Sequence, residues 1–173
     1  MCADFYHKPV MLEEILKWLC VNKNGIYVDG TVGGAGHAYA ILQATDGFLV
    51  GIDCDNDALL AAEKRLASFG ARKILVKANF AELGSVLDSL QIKKVDGVLL
   101  DLGVSSHQLD QAERGFSFNQ PAPLDMRMDR SLKLSAYDIV NSFAREDLEK
   151  IIRDFGEEKM AGRIARAISQ KRR

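Results

Sequence analysis

Three aspartates could share one binding site, because each follows a short apolar run typical of a buried β-strand. The aspartates and the runs before them are Asp29 after residues 26–28, Asp53 after residues 48–52 and Asp101 after residues 95–100. In an open parallel sheet, ligands bind beyond the carboxyl ends of the strands, so the three carboxylates would surround one crevice. A single acid at a strand end is more often a helix cap, whereas three together indicate a polar ligand.

A glycine-rich turn follows the first run, with the sequence DGTVGGAGH over residues 29–37. Its four glycines let a ligand approach the backbone closely. The turn lacks the full dinucleotide fingerprint, because the third glycine of that pattern would fall on Tyr39. Asp53 follows Gly36 by 17 residues, a separation typical of an acid that binds ribose hydroxyls. These features favour an adenosine-containing cofactor over a purely structural turn. They also favour S-adenosylmethionine over NAD, which remains a weaker alternative.

Two other groups of side chains give ambiguous signals. Asn79 and Phe80 end the third apolar run, where Phe80 could face adenine, although a core phenylalanine is the commoner role. Ser105 and Ser106 follow Asp101 in a polar stretch that could line a pocket or form an ordinary loop. The histidines and cysteines predict no metal site and no disulfide framework, since their spacings match no ligand pattern and no CxxC pair. They are His7, His37, His107, Cys2, Cys20 and Cys54.

The order of segments predicts a Rossmann-like α/β core with a parallel, doubly wound sheet. Strands are expected at 26–28, 48–52, 73–77 and 95–100, and helices at 10–19, 38–43, 57–69 and 81–90. After Asp101 the alternation stops, residues 103–135 look irregular, and helices are expected near 148–155 and 160–168. The sequence therefore predicts a cofactor-binding core over residues 1–109 and a small helical part over residues 110–173.

Composition excludes several classes of protein. The chain has 173 residues, of which 47% are apolar and 27% charged, which is ordinary for a globular protein and excludes coiled coil, collagen and wholesale disorder. No apolar run approaches the roughly 20 residues that span a bilayer. Charged residues within the first twenty argue against a signal peptide, and the scattered cysteines favour a reducing compartment, so we expect a cytoplasmic protein.

Charge is unevenly distributed along the chain. Residues 159–173 contain six basic and no acidic residues, which leaves 17 basic against 24 acidic residues elsewhere and a net charge of −1 overall. The basic segment could contact a polyanion, or it could be the solvated face of an amphipathic helix. Charge alone does not separate these interpretations.

Taken together, the motifs resemble one known family, the bacterial small-subunit ribosomal RNA (cytosine-N4)-methyltransferases of the MraW/RsmH type. The similarity covers nearly the whole chain in the family's order. It comprises HKPVMLEE (7–14), YVDGTVGGAGH (27–37), GIDCD (51–55), DGVLLDLGVSSHQLD (96–110), RGFSF (114–118), PLDMRMD (123–129) and FGEEKMAGRIARAI (155–168).

The resemblance implies an S-adenosylmethionine-dependent methyltransferase with a helical domain inserted after the fourth strand. The cofactor contacts it implies are Ala35, Gly36, His37, Asp53, Phe80, Asp101 and Gln108. Ala35 stands where the family usually has glycine, and residues 120–122 depart from the usual Asp-Gly. The implied substrate is the N4 amino group of a cytidine in ribosomal RNA or the small ribosomal subunit.

The resemblance assigns no single general base. Asp101, Ser105 and Ser106 lie where other amino-methyltransferases place the groups that hold the target amine. Asp125, Arg127 and Asp129 are second candidates, and a salt-bridged loop explains them equally well.

Family members continue beyond the point that corresponds to Arg173, so we expect a truncated copy with an exposed fourth strand. That edge, or the helical part, could pair two copies into a homodimer. A non-catalytic remnant that binds S-adenosylmethionine or RNA is the alternative function.

Overall fold

The first part of the chain contains a four-stranded parallel sheet, as the apolar runs predict. A computed structural model describes residues 9–19 and 21–172. The strands are β1 (Ile26–Asp29), β2 (Phe48–Asp53), β3 (Lys73–Lys77) and β4 (Gly97–Leu99). Their order is β3-β2-β1-β4, so the direction of winding reverses beside β1. The predicted α/β class is confirmed. Four residues considered above lie outside the described residues, namely Cys2, His7, Cys20 and Arg173.

Four helices accompany the sheet, namely α1 (Leu12–Trp18), α2 (Gly36–Ala44), α3 (Asn56–Arg65) and α4 (Leu83–Ser89). The helix predicted to reach Phe69 is shorter, because α3 ends at Arg65 and a 3₁₀ segment follows from Ala67 to Arg72. Leu66 is fully buried at this junction, and its carbonyl accepts a hydrogen bond from the Phe69 N–H in a tighter turn than an α-helix makes.

Side chains of the two central strands, β1 and β2, form the centre of the hydrophobic core. β1 and β2 point alternate side chains into two apolar clusters, as expected for strands covered on both faces. One cluster contains Tyr27, Ile41, Leu42, Leu49 and Leu66, and the other contains Val28, Val50, Ile52 and Val86. The sheet therefore holds the ends of β1 and β2 rigidly in place.

β4 lies at the edge of the sheet and is shorter than predicted. The expected strand spanned residues 95–100, but only Gly97–Leu99 pair with β1. The ladder ends because the Asp101 N–H donates to the Thr31 hydroxyl instead of to a backbone carbonyl. Val98 is 40% exposed, which agrees with the expectation of an open edge.

The chain divides into two units, and the second begins at His107. Its helices are α5 (Ser106–Asp110), which starts at the boundary, α6 (Ala136–Ser142), α7 (Arg145–Asp154) and α8 (Ala161–Lys171). α7 and α8 pack together and bury Leu148, Ala161 and Ala165. In the described part of the chain, no helix is long and apolar enough to cross a membrane.

Two of these helices differ from the sequence prediction. α5 lies within the stretch expected to be irregular, and α6 was not predicted. α6 begins at a capping box, in which the Ser135 and Asp138 side chains each bond to the other residue's backbone N–H. This local signal, and not a long apolar stripe, specifies a seven-residue helix.

Candidate functional site

The glycine-rich turn joins β1 to α2 at the carboxyl end of the sheet. Gly33 and Ala35 both adopt left-handed backbone conformations, with φ of 49° and 59°. Ala35 is fully buried, and its N–H donates to the Val32 carbonyl at 2.7 Å. A Cβ on Gly36 would lie 2.4 Å from Cγ of Pro9, so glycine is required where the N-terminal segment crosses the turn. The turn is therefore compact, and Pro9 packs directly against it.

Asp53 ends β2 with its carboxylate fixed in orientation. The Gly33 N–H donates to Oδ2 and the Asp55 N–H donates to Oδ1, both at 2.9 Å. Burial raises the pKa of Asp53, and the hydrogen bonds from the backbone oppose that rise. The Cys54 N–H also bonds to this carboxylate, so three backbone groups orient it. The oriented oxygens can face the hydroxyls of a ribose, which fits an adenosine cofactor.

Asp29 ends β1 and is almost completely buried, with 1% of its surface exposed. The Thr31 N–H donates to its Oδ1 at 3.2 Å. Burial raises the pKa of Asp29 to about 7, and the hydrogen bond from Thr31 and the charge of His37 oppose that rise. The charges of Asp53 and Asp101 raise the pKa further. Asp53 and Asp101 thus both act on Asp29, at the sheet edge where the sequence predicts the three acids.

Asp101 follows β4, and its side chain is 47% exposed. Its N–H donates to the Thr31 hydroxyl at 2.7 Å. Its Oδ2 lies 3.8 Å from Nδ1 of the buried His37 ring, whose Nε2 lies 2.9 Å from the Val10 carbonyl. Sequence reasoning missed Thr31, because no motif spacing marks a hydroxyl that bridges two strands.

The remaining predicted residues are distributed over both units. Phe80 is 41% exposed beside Gly30, so it is not a core phenylalanine. Ser105 and Ser106 are the last residues of the first unit, whereas Gln108 is a buried residue of α5 in the second. The structure therefore brings six predicted cofactor residues together within the first unit, on the turn and the strand ends. They are Ala35, Gly36, His37, Asp53, Phe80 and Asp101.

The second candidate group forms a salt-bridged loop. Arg127 donates to both carboxylate oxygens of Asp125, at 2.6 and 3.0 Å, and also to the Leu132 carbonyl. The Arg127 hydrogen bond holds the pKa of Asp125 below its usual range. Asp129 accepts hydrogen bonds from the Ser131 N–H and hydroxyl. These contacts favour the structural interpretation of the loop.

No metal centre is evident in the described ranges 9–19 and 21–172. They contain no group of three or more His, Cys, Asp and Glu side chains that could hold a metal ion. The acids at the strand ends are instead bonded to backbone N–H groups, as the contacts of Asp29 and Asp53 show. The arrangement suits an organic ligand with hydroxyl groups.

Two curated proteins similar to this chain carry the same name. Ribosomal RNA small subunit methyltransferase H of Syntrophus aciditrophicus is 63% identical over 97% of this chain, and that of Geotalea daltonii is 54% identical over 98%. The aligned regions cover 54% and 55% of those two proteins, so the chain spans about half the length of the curated relatives that it matches.

Solved structures are more distant. An RNA methyltransferase from Salinibacter ruber, in complex with S-adenosyl-L-homocysteine, aligns with 61% of this chain and 65% of its own, at 18% identity and a TM-score of 0.46. A likeness at this level supports no inference about ligand or activity. The model of the MraW methylase family, in contrast, matches residues 4–173. The chain therefore belongs to the MraW methylase family.

Proposed function

We propose that this chain is the cofactor-binding part of an S-adenosylmethionine-dependent methyltransferase that acts on N4 of a cytidine in small-subunit ribosomal RNA. The observation that carries the proposal is Asp53, held by the Gly33 and Asp55 N–H groups beside the glycine-rich turn, in a chain of this family. Its two oriented oxygens are the acceptors that a ribose needs. The name shared by the curated relatives supports the reaction and the RNA substrate.

The residues proposed to bind the cofactor are those predicted from the sequence. Asp53 would hold the ribose, and the half-exposed ring of Phe80 would lie against adenine. The backbone of Ala35, Gly36 and His37 would contact the rest of the molecule through the turn. Asp101 would border the cofactor at the end of β4. Gln108 is proposed as a cofactor contact on the family resemblance alone.

The proposed reaction needs groups that orient the substrate, because cytosine N4 is a weak nucleophile. When bound, S-adenosylmethionine supplies a methyl group on a positively charged sulfur. The lone pair of cytosine N4 is delocalised into the ring, so the protein must orient the amine and accept hydrogen bonds from it. We assign that task to the oxygens of Asp101, Ser105 and Ser106. The target base must be single-stranded or flipped out of a helix to reach them.

The helical part, residues 110–173, is proposed to contact the RNA. Arg163, Arg166 and Lys171 are exposed on α8, which contains no acidic residue. Exposed basic side chains on one helix suit a phosphate backbone. Modification of ribosomal RNA implies a cytoplasmic location, and pairing of two copies along β4 would give a homodimer.

Calorimetry with S-adenosylmethionine and with NAD tests the cofactor. We expect binding of S-adenosylmethionine alone, and Asp53→Ala should weaken it at least about 100-fold, because hydrogen bonds to a charged group are lost at two hydroxyls. Asp46→Ala is the matched control, since Asp46 is an exposed acid two residues before the same strand begins. Unchanged affinity in Asp53→Ala would contradict the ribose assignment.

An assay of methyl transfer tests the reaction. Small ribosomal subunits, or their RNA, are incubated with the chain and labelled S-adenosylmethionine, and the product nucleosides are identified by mass spectrometry. A full-length relative provides the positive control. N4-methylcytidine supports the proposal, whereas cofactor binding without transfer supports the alternative, a non-catalytic binding remnant.

A further inference from the structure

Asp101 differs from the other two strand-end acids because it is exposed. Its side chain is 47% exposed, whereas Asp29 is almost fully buried. It also lies beyond the last residue of β4, where no ladder bond restrains it. An exposed side chain on an irregular segment loses entropy when it must adopt one orientation. Neighbouring groups must therefore hold Asp101 if it is to act at a fixed position.

Thr31 restrains the backbone of Asp101. Its hydroxyl oxygen accepts the Asp101 N–H at 2.7 Å, and its own N–H donates to the Asp29 carboxylate. One residue earlier, the Gly30 N–H donates to the Leu99 carbonyl at 2.9 Å. Thr31 therefore continues the connection between β1 and β4 by one residue after the ladder has ended.

His37 restrains the carboxylate of Asp101. Its Nε2 must carry a hydrogen, because the Val10 carbonyl 2.9 Å away can only accept. This contact fixes the ring and leaves Nδ1 at 3.8 Å from Asp101 Oδ2, within ion-pair range but too long for a hydrogen bond. The charge of Asp29 also interacts with the His37 ring. The charge of Asp53 in turn interacts with Asp29.

We infer that Thr31 and His37 are positioning residues that hold Asp101 at the end of β4, Thr31 through the backbone and His37 through the carboxylate. The role given to Asp101 in binding rests on the proposed function. The contacts themselves do not depend on it. The side chain of His37 therefore has a role that is separate from any contact between its backbone and a cofactor.

Hydrogen exchange of the Asp101 amide tests the backbone contact without any ligand. In the full chain, Thr31→Val should speed exchange of this amide at least about tenfold, because its acceptor is lost. Thr31→Ser keeps the hydroxyl and should restore protection. The Gly30 amide, which bonds to Leu99 in both variants, is the internal control. Unchanged protection of the Asp101 amide in Thr31→Val would overturn the inference.

Calorimetry with S-adenosylhomocysteine tests the consequence for binding. Thr31→Val should weaken affinity about tenfold, and His37→Phe about threefold because its partner is half exposed. In an Asp101→Ala background, each substitution should weaken binding less than it does in the unmodified chain. Equal weakening in both backgrounds would overturn the inference, since a general structural role does not act through Asp101. If the unmodified chain shows no binding, the proposed function fails, while the exchange experiment still decides whether the contacts exist.

Discussion

Aspartates in the two units have their pKa values shifted in opposite directions. In the first unit, burial raises the pKa of Asp29 and Asp53 at the strand ends. In the second unit, the Arg127 hydrogen bond lowers the pKa of Asp125, and hydrogen bonds from Ser135 lower that of Asp138. The same side chain is thus desolvated in one unit and well paired in the other.

This difference supports the proposal that the strand-end acids serve a ligand, whereas Asp125 and Asp138 serve the fold. A carboxylate whose pKa is raised by burial makes the folded state less stable at neutral pH than an uncharged side chain would. A carboxylate whose pKa is lowered by its partners stabilises the folded state. Desolvated acids at one edge of the sheet are therefore the stronger candidates for function, whereas Asp125 and Asp138 hold a loop and cap a helix.

The largest expected effect comes from removing the charge of Asp29. Its pKa is raised from 3.8 to about 7, so the folded chain binds more protons than the unfolded chain between these values, and stability falls as pH rises through that range. At 1.36 kcal/mol per pKa unit, the loss is about 4 kcal/mol. Asp29→Asn keeps the acceptor for Thr31 and should abolish this loss. Hydrogen exchange of the β1 and β2 amides at pH 4 and pH 8 measures the effect.

Asp46→Asn is the control for this measurement, because Asp46 is an exposed acid in the same unit. Its pH dependence should match that of the unmodified chain. If Asp29→Asn lost stability between pH 4 and 8 as steeply as the unmodified chain does, the raised pKa of Asp29 would not be the cause. The contrast between the two units would then be contradicted.

A smaller effect is expected in the second unit when Arg127 is replaced. Arg127→Met removes the bidentate partner of Asp125 and the bond to the Leu132 carbonyl, so amides in residues 125–138 should exchange about fivefold faster. The lowered pKa of Asp125 gives a stabilisation that is present at neutral pH and lost as pH falls below about 4, which is the opposite of Asp29.

Arg130→Met is the matched control, because Arg130 is an exposed basic residue three positions away. It should leave exchange in the loop nearly unchanged. Equal acceleration in both variants would mean that the loop responds to net charge and not to the specific contacts of Arg127.

Local patterns in the sequence predict the strands and the acids at their ends. Apolar runs predict all four strands, and the acids after them mark the carboxyl edge of the sheet, because strand ends in a parallel sheet meet at one edge. The capping box of α6 is also local, but the apolar stripe beside it is too short to predict a helix. The early end of β4, in contrast, has a non-local cause, in the contact between Thr31 and Asp101.

Contacts between distant residues could not be predicted in the same way. The hydrogen bond between Thr31 and Asp101 joins residues 70 positions apart, and the Val10 carbonyl meets His37 across 27 positions. No spacing rule connects such pairs, because each depends on the strand order. The burial of Asp29 likewise depends on the strand order, because β1 lies between β2 and β4.

The smallest expected effect compares strained backbone in the two units. Ala35 and Glu157 both adopt left-handed conformations, with φ of 59° and 51°, which cost a non-glycine residue about 1 kcal/mol. Glu157 is exposed, so Glu157→Gly should stabilise the chain by about 1 kcal/mol. Ala35 is fully buried, so Ala35→Gly also loses a packed methyl group worth about 0.8 kcal/mol, and the net change should be close to zero. Urea unfolding of both variants measures the difference, and an equal gain would show that the methyl group of Ala35 adds nothing to the core.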